Sequence, residues 1–425
     1  MKEYVAFVRK RARPATAGPG LVALLLFVCV AACSDSRQPV DWGTLPSEQR
    51  VFSDSNAFLE AYWLRPIPLQ GRAPVGFSEL ETSLEPSVCG TCHAPQYADW
   101  QTTVHAGAYS PGLSGQLVNA EAYNYQYVRS CLACHTPLSE QLAQVPDTSG
   151  ALVSNPAFDV SLRGQGLVCA SCHMRGWQRY GPPRRDGSLD PSPDGSPHGG
   201  VTRTPYFEDS RFCAGCHQFD SPAINGKSLQ NTQKEWAESR YAAAGISCQS
   251  CHMPDRRHVW RGVHDSTMVQ SGVTIDWVSQ DQGAGAGEIE LRITNSGTGH
   301  RFPTYVTPEI IARVELIDAD GRVIEQKTVE ATISRRVEPR EGSWVELWDT
   351  RLSPDASLTL RAAVGDSARS ARGTVVVRPD AFYEGVFNAM RLQQLSDTSR
   401  VLIGEAHRRA SSSFFTIFDD TLRIR

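Results

Sequence analysis

Between Cys89 and His252 the pattern Cys-x-x-Cys-His occurs five times. The copies are Cys89-Gly-Thr-Cys92-His93, Cys131-Leu-Ala-Cys134-His135, Cys169-Ala-Ser-Cys172-His173, Cys213-Ala-Gly-Cys216-His217 and Cys248-Gln-Ser-Cys251-His252. Two thiols one helical turn apart lie on the same side of the backbone, so both can reach the vinyl groups of one porphyrin. The histidine that follows can turn its imidazole onto the iron as proximal ligand. From the 12 Cys and 11 His of the 425-residue chain, roughly 0.01 such matches would arise by chance. Paired Cys-x-x-Cys hooks also build tetrahedral zinc sites. Zinc, however, does not need a histidine after every second cysteine, and it wants hooks in pairs. The motifs therefore predict five covalently attached haem c groups, each with its iron on His93, His135, His173, His217 or His252.

The cysteine inventory closes on this reading. Ten of the 12 cysteines sit in the motifs, leaving Cys29 and Cys33 near the N-terminus. There, Arg9, Lys10, Arg11 and Arg13 precede the apolar run from Leu21 to Val30, followed by Ala31, Ala32 and Cys33. A basic stretch, a short apolar stretch and small residues before a break form a secretory signal. The run is well short of the ~20 residues a membrane span requires. Val30-Ala-Ala-Cys33 resembles the lipobox of bacterial lipoproteins, which implies cleavage before Cys33 and its lipidation. Ser34 after that cysteine favours the outer membrane, so the expectation is an exported, lipid-anchored protein facing the periplasm or the exterior. No cysteine is left for a disulfide, although an exported chain could form one.

Residues 1–32 carry five Lys/Arg and one Glu, so 37 basic and 45 acidic residues remain in the mature chain. Nucleic-acid binding calls for a basic surface, and no basic stripe is present; no nucleic-acid partner is expected.

Residues 1–33 are thus read as lipoprotein signal and lipobox. Residues 34–85, rich in Ser, Pro and Gly, are read as a tether with a short helix around Asp54–Tyr62. Residues 86–266 form the haem region, whose motifs start 42, 38, 44 and 35 residues apart. That irregular spacing suggests haem-binding helices joined by loops rather than a solenoid. A segment this loop-rich cannot build a large core alone, so five apolar porphyrin plates are expected to complete it.

Cys92-His-Ala-Pro-Gln-Tyr-Ala-Asp-Trp100, followed by His105, resembles the opening of multihaem c-type cytochromes such as the tetrahaem electron acceptor of hydroxylamine oxidoreductase. Cys248 to Pro254, followed by His258 and Gly262-Val-His264, resembles that family's closing motif with two further ligands. The resemblance spans roughly residues 86–266. It implies distal ligation by His105, His258 and His264 and a core of haems in close parallel and perpendicular pairs. His198, on the loop before the fourth motif, fits a further distal ligand, because five irons need five axial donors.

From about residue 267 the pattern changes to short alternating runs. Val273–Val278, Glu288–Thr294, Ile310–Ile317, Val323–Val329, Trp344–Trp348, Leu358–Arg361 and Thr374–Val377 predict a β-sandwich of about seven strands over 267–379. Gly287 to Asp320 resembles the immunoglobulin-like tail domain of some multihaem cytochromes, where a Gly-His-x-Phe-Pro-Thr loop recurs; here it is Gly299 to Thr304. The resemblance implies that His300 points back to a haem as ligand. Residues 380–425 read as a C-terminal helical segment, with His407 solvated. The fold class is α+β: a loop-rich, mainly helical multihaem domain, an all-β immunoglobulin-like sandwich, then a helical segment.

Two functions fit. An electron carrier would relay electrons between donor and acceptor redox proteins through five bis-histidine haems, with no catalytic residue. A reductase or oxidase of a small nitrogen or sulfur compound would leave one iron five-coordinate. No Cys-x-x-Cys-Lys motif marks such an iron, and six histidines outside the motifs are available for five irons, which favours the carrier.

Overall fold

The computed structural model describes residues 55–219, 223–224, 227–279, 287–340 and 343–424. The signal, Cys33 and the first part of the predicted tether lie outside these residues. None of the described helices is long and apolar enough to cross a membrane.

The motif region is built from short helices, and each motif closes or follows one. Cys131–His135 ends the helix Tyr125–His135, which Asn124 caps by accepting the Tyr127 N–H at 3.2 Å. The third, fourth and fifth motifs end the helices Cys169–His173, Arg211–His217 and Cys248–His252. In the first, Cys89 ends Pro86–Cys89, and His93 occupies the N-cap of Ala94–Trp100. Apolar packing here is divided among small clusters. One joins Leu117, Val128, Leu132 and Leu142; another joins Ile67, Leu138, Leu162 and Met174; a third joins Phe58, Tyr62, Tyr180 and Phe212.

Two of these clusters correct the tether reading for residues 55–85. Phe58, Leu59 and Tyr62 project from the helix Ser55–Tyr62 into the third cluster and are buried. Ile67 has no exposed surface, and its N–H donates to the Pro137 carbonyl at 2.7 Å. The segment is a packed part of the motif region, because its apolar side chains find partners more than 70 residues downstream.

The C-terminal half has one continuous core between two sheets. Its strands are β1 (Thr274–Ser279), β2 (Glu288–Thr294), β3 (Glu309–Asp318), β4 (Val329–Ile333), β5 (Arg335–Arg340), β6 (Ser343–Asp349), β7 (Ser357–Ala363), β8 (Ala368–Arg378) and β9 (Phe415–Arg423). The order is β4-β3-β8-β9 in one sheet and β7-β2-β1 in the other, with β5-β6 as a separate hairpin. All pairs are antiparallel, for example Ala312 opposite Val375 and Leu291 opposite Leu360. Ile310, Ala312, Val314 and Leu316 alternate along β3 into a core shared with Leu291, Ile293 and Leu360 of the facing sheet. This is the period-2 burial that strand geometry imposes.

Two expectations need correction. Val323–Val329 is not a strand: a 3-10 turn occupies Glu325–Lys327 and β4 begins at Val329. Nor is the C-terminus helical throughout. The helices Ala381–Arg391 and Asp397–Ser412 are followed by β9, which pairs along the free edge of β8 and buries Ile417 in the core.

The two helices before β9 return to the motif region. Ser399 Oγ donates to the Gly115 carbonyl at 2.7 Å. A Cβ on Gly112 would stand 2.5 Å from Phe387, and one on Gly115 would stand 3.0 Å from Ile403. Glycines at these positions of the helix Pro111–Leu117 let the C-terminal helix pair approach closely.

Candidate metal centres

The histidines come together in opposed pairs. The ring centroids of His173 and His258 are 6.0 Å apart, those of His105 and His217 6.2 Å, and those of His252 and His300 6.4 Å. Two imidazoles bonded to one metal from opposite faces, each at about 2.0 Å, hold their centroids roughly 6.3 Å apart. The pairs therefore leave the space of one iron between the rings. His198 lies close enough to His93 for their charges to interact.

Backbone carbonyls set the orientation of most rings. Nδ1 lies 2.8 Å from Ala108 O in His135, 2.9 Å from Tyr180 O in His173 and 2.6 Å from Arg261 O in His252. On the opposing side, Nδ1 lies 3.1 Å from Gly200 O in His198, 3.1 Å from Arg256 O in His258 and 2.9 Å from Arg301 O in His300. An N–H at Nδ1 donating to a carbonyl leaves the Nε2 lone pair for a metal, the second-sphere arrangement that ligating histidines favour. His217 Nδ1 instead meets the Gln230 side-chain amide at 2.9 Å. Nδ1 of His105 is buried with no hydrogen-bond partner.

Several of these rings keep some solvent-accessible surface although protein surrounds them closely. Loss of hydration disfavours the protonated imidazole. It lowers the pKa of His105 to about 3 and those of His173, His217 and His300 to about 4. All four are neutral, ligand-competent bases near pH 7. Opposed rings and adjoining thiol pairs fit haem c on the pairs His173/His258, His217/His105 and His252/His300, while His198 stands within charge range of His93. Among the described residues no group of three or more His, Cys, Asp or Glu is gathered for a bare metal ion.

The thiols locate the motifs relative to one another. Cys89 is a hydrogen-bond neighbour of Cys169, Cys134 of Cys216, and Cys213 of Cys248. Cys172 lies within electrostatic reach of both Cys213 and Cys216. The first motif thus abuts the third, and the third neighbours the fourth. The fourth also adjoins the second and the fifth, which puts Cys213–His217 at the junction of the array.

Local anchors place the distal side chains. Glu81 accepts the His198 N–H at 2.5 Å and so holds its loop. Asp99, on the helix after the first motif, accepts the His258 N–H at 3.1 Å and the Arg257 Nε–H at 2.7 Å. The His300 loop is held from both sides of a domain contact. Asn295 and Thr298 donate to the His300 carbonyl at 2.9 and 2.6 Å, while Glu235 of the motif region accepts the Arg301 N–H at 3.1 Å.

His264 departs from the expected ligand set. It is exposed, and its Nε2 lies 3.1 Å from both carboxylate oxygens of Asp380. The carboxylate of Asp380 thus meets the nitrogen expected to bind iron and links His264 to the start of the helix Ala381–Arg391. His407 meets Arg391 at 3.1 Å through Nδ1. Among the described residues no histidine ring stands opposite His135. Sequence reasoning missed Glu81, Asp99, Glu235 and Trp260; only Trp260, two residues after a candidate ligand, carried a local signal.

Residues 88–173 match the family described as cytochrome c554 and c-prime. No curated protein sequence matches the chain. A crystal structure of a penta-heme cytochrome c552 from Thermochromatium tepidum has a similar fold, with a TM-score of 0.56 and 16% identity over 82% of this chain and 100% of that one. The first three motifs thus lie within a segment similar to a c-type cytochrome family, and the chain shares its fold with a multihaem cytochrome.

Proposed function

We propose that the chain is an exported pentahaem c-type cytochrome that relays electrons between redox proteins. The observation that carries this reading is the opposition of motif and non-motif imidazoles at 6.0–6.4 Å in three sites. Haem would supply the redox change; the paired thiols of each motif would hold it covalently and the opposed imidazoles would ligate its iron. Two nitrogen ligands that stay bound in both oxidation states suit transfer rather than bond chemistry. The adjoining thiols support a route from the first site through the third to the fourth, with the second and fifth sites as branches. Lipidation at Cys33, an outer-membrane location and the immunoglobulin-like character of the sandwich belong to the same reading. Intact mass of protein matured with haem attachment tests it: five haems are expected, and Cys→Ser changes in one motif should remove one. A chain carrying one or two haems would overturn it.

A second reading is favoured by His135, which has no opposed ring among the described residues while its Nδ1 is held by Ala108 O. One iron of the array is then five-coordinate and open to a small ligand, as a reductase or oxidase of a nitrogen or sulfur compound requires. Carbon monoxide binding by the reduced protein, one per chain, distinguishes this from a relay with every iron closed.

A further inference from the structure

Trp260 touches the distal imidazoles of two different sites. Its ring centroid is 5.0 Å from His105, with planes at 67°, and 5.1 Å from His258, with planes at 87°. His105 faces His217 of the fourth motif, and His258 faces His173 of the third. Edge-to-face contacts at this spacing are attractive and orientation-dependent. The backbone holds the indole there in a conformation that bulky residues avoid, with φ of 35° at Trp260 and of 52° and 60° at Asp255 and Arg256. Strong anchors surround the segment. Arg257 is paired with Asp99, and Arg256 donates to Glu208 at 2.6 Å and to Pro183 O at 2.8 Å.

We propose that Trp260 is a positioning residue that fixes the ring planes of His105 and His258 together and so couples the ligand geometry of the third and fourth sites. This rests on the ligand assignment above. Ring orientation matters because the angle between two axial imidazole planes sets the magnetic anisotropy of a low-spin ferric haem. Those angles are 55° for His105/His217 and 32° for His173/His258, against 11° for His252/His300, which Trp260 does not touch.

The test is electron paramagnetic resonance of the oxidised holoprotein with Trp260→Ala and Trp260→Phe. The alanine variant should displace two low-spin signals and leave the signal of the His252/His300 site in place. The phenylalanine variant should give a smaller displacement of the same two. If alanine prevents folding, the phenylalanine spectrum decides alone. Spectra identical to the unmodified protein, or an equal change at every site, overturn the proposal. His105→Ala and His258→Ala serve as controls, each expected to create one high-spin haem. If neither does, the ligand assignment fails; if both do while the Trp260 variants leave the spectrum unmoved, only the Trp260 proposal fails.

Discussion

The rings of His252 and His300 lie 6.4 Å apart and within 11° of parallel, one from the fifth motif and the other from a loop of the β-sandwich. The sandwich therefore contributes a candidate ligand to the motif region. His300→Ala should leave one iron without its distal ligand, giving one new high-spin haem and one additional carbon monoxide site per chain. Optical titration with carbon monoxide checks this, with the other sites unchanged.

The contact that delivers His300 is also acid-sensitive. Lys227 of the motif region donates to Asp349 at 2.6 Å and to Glu346 at 2.9 Å, and Arg351 donates to Asp349 at 2.8 and 3.0 Å. Burial alone would raise the Asp349 pKa, but the hydrogen bonds and charge of Arg351, then Lys227, hold it well below the ordinary value of 3.8. A depressed carboxyl stabilises the fold fully above its unfolded pKa and loses that contribution as pH falls through its folded one. Stability should thus decline below pH 3.8, and Asp349→Asn should flatten that decline. Removing one partner of a buried ion group also costs roughly 3–5 kcal/mol. Denaturant unfolding at several pH values reads both effects.

Ile67 anchors the segment that composition suggested was a tether. Ile67→Ala should destabilise the motif region by about 2–5 kcal/mol, whereas changes in a true tether would cost little. Tyr62→Phe, which removes the hydroxyl donated to the Cys172 carbonyl at 2.7 Å, should cost about 1 kcal/mol. Chemical denaturation of the holoprotein checks both.

Docking of the C-terminal helices depends on the small residues beneath them. Gly112→Leu should drive Phe387 from its seat and release the Ala381–Ser412 helices, while Ser399→Ala should weaken the contact by about 1 kcal/mol. Hydrogen exchange over Ala381–Ser412 should rise strongly in the first variant and slightly in the second.

What was legible in the sequence was what is local. Haem attachment needs two thiols and an imidazole within five residues, so the motifs declare themselves. Alternation along Glu288–Thr294 and Ile310–Ile317 declared strands for the same reason. The role of Ile67 was hidden because its partners, Leu138 and Leu162, lie far along the chain. His264 follows the fifth motif closely, which pointed to a ligand, whereas its contact with Asp380, 116 residues away, left no trace in the local sequence. β9 was missed because Phe415 and Ile417 follow directly on a long helix and pair with the edge of β8 only in three dimensions.

Quantitative electron paramagnetic resonance of the oxidised protein, referred to its haem content, tests the central claim most directly. The relay predicts five haems per chain, all low-spin with two histidine ligands. One high-spin haem would favour the open-iron reading at His135, and two or more would contradict the paired-imidazole relay itself.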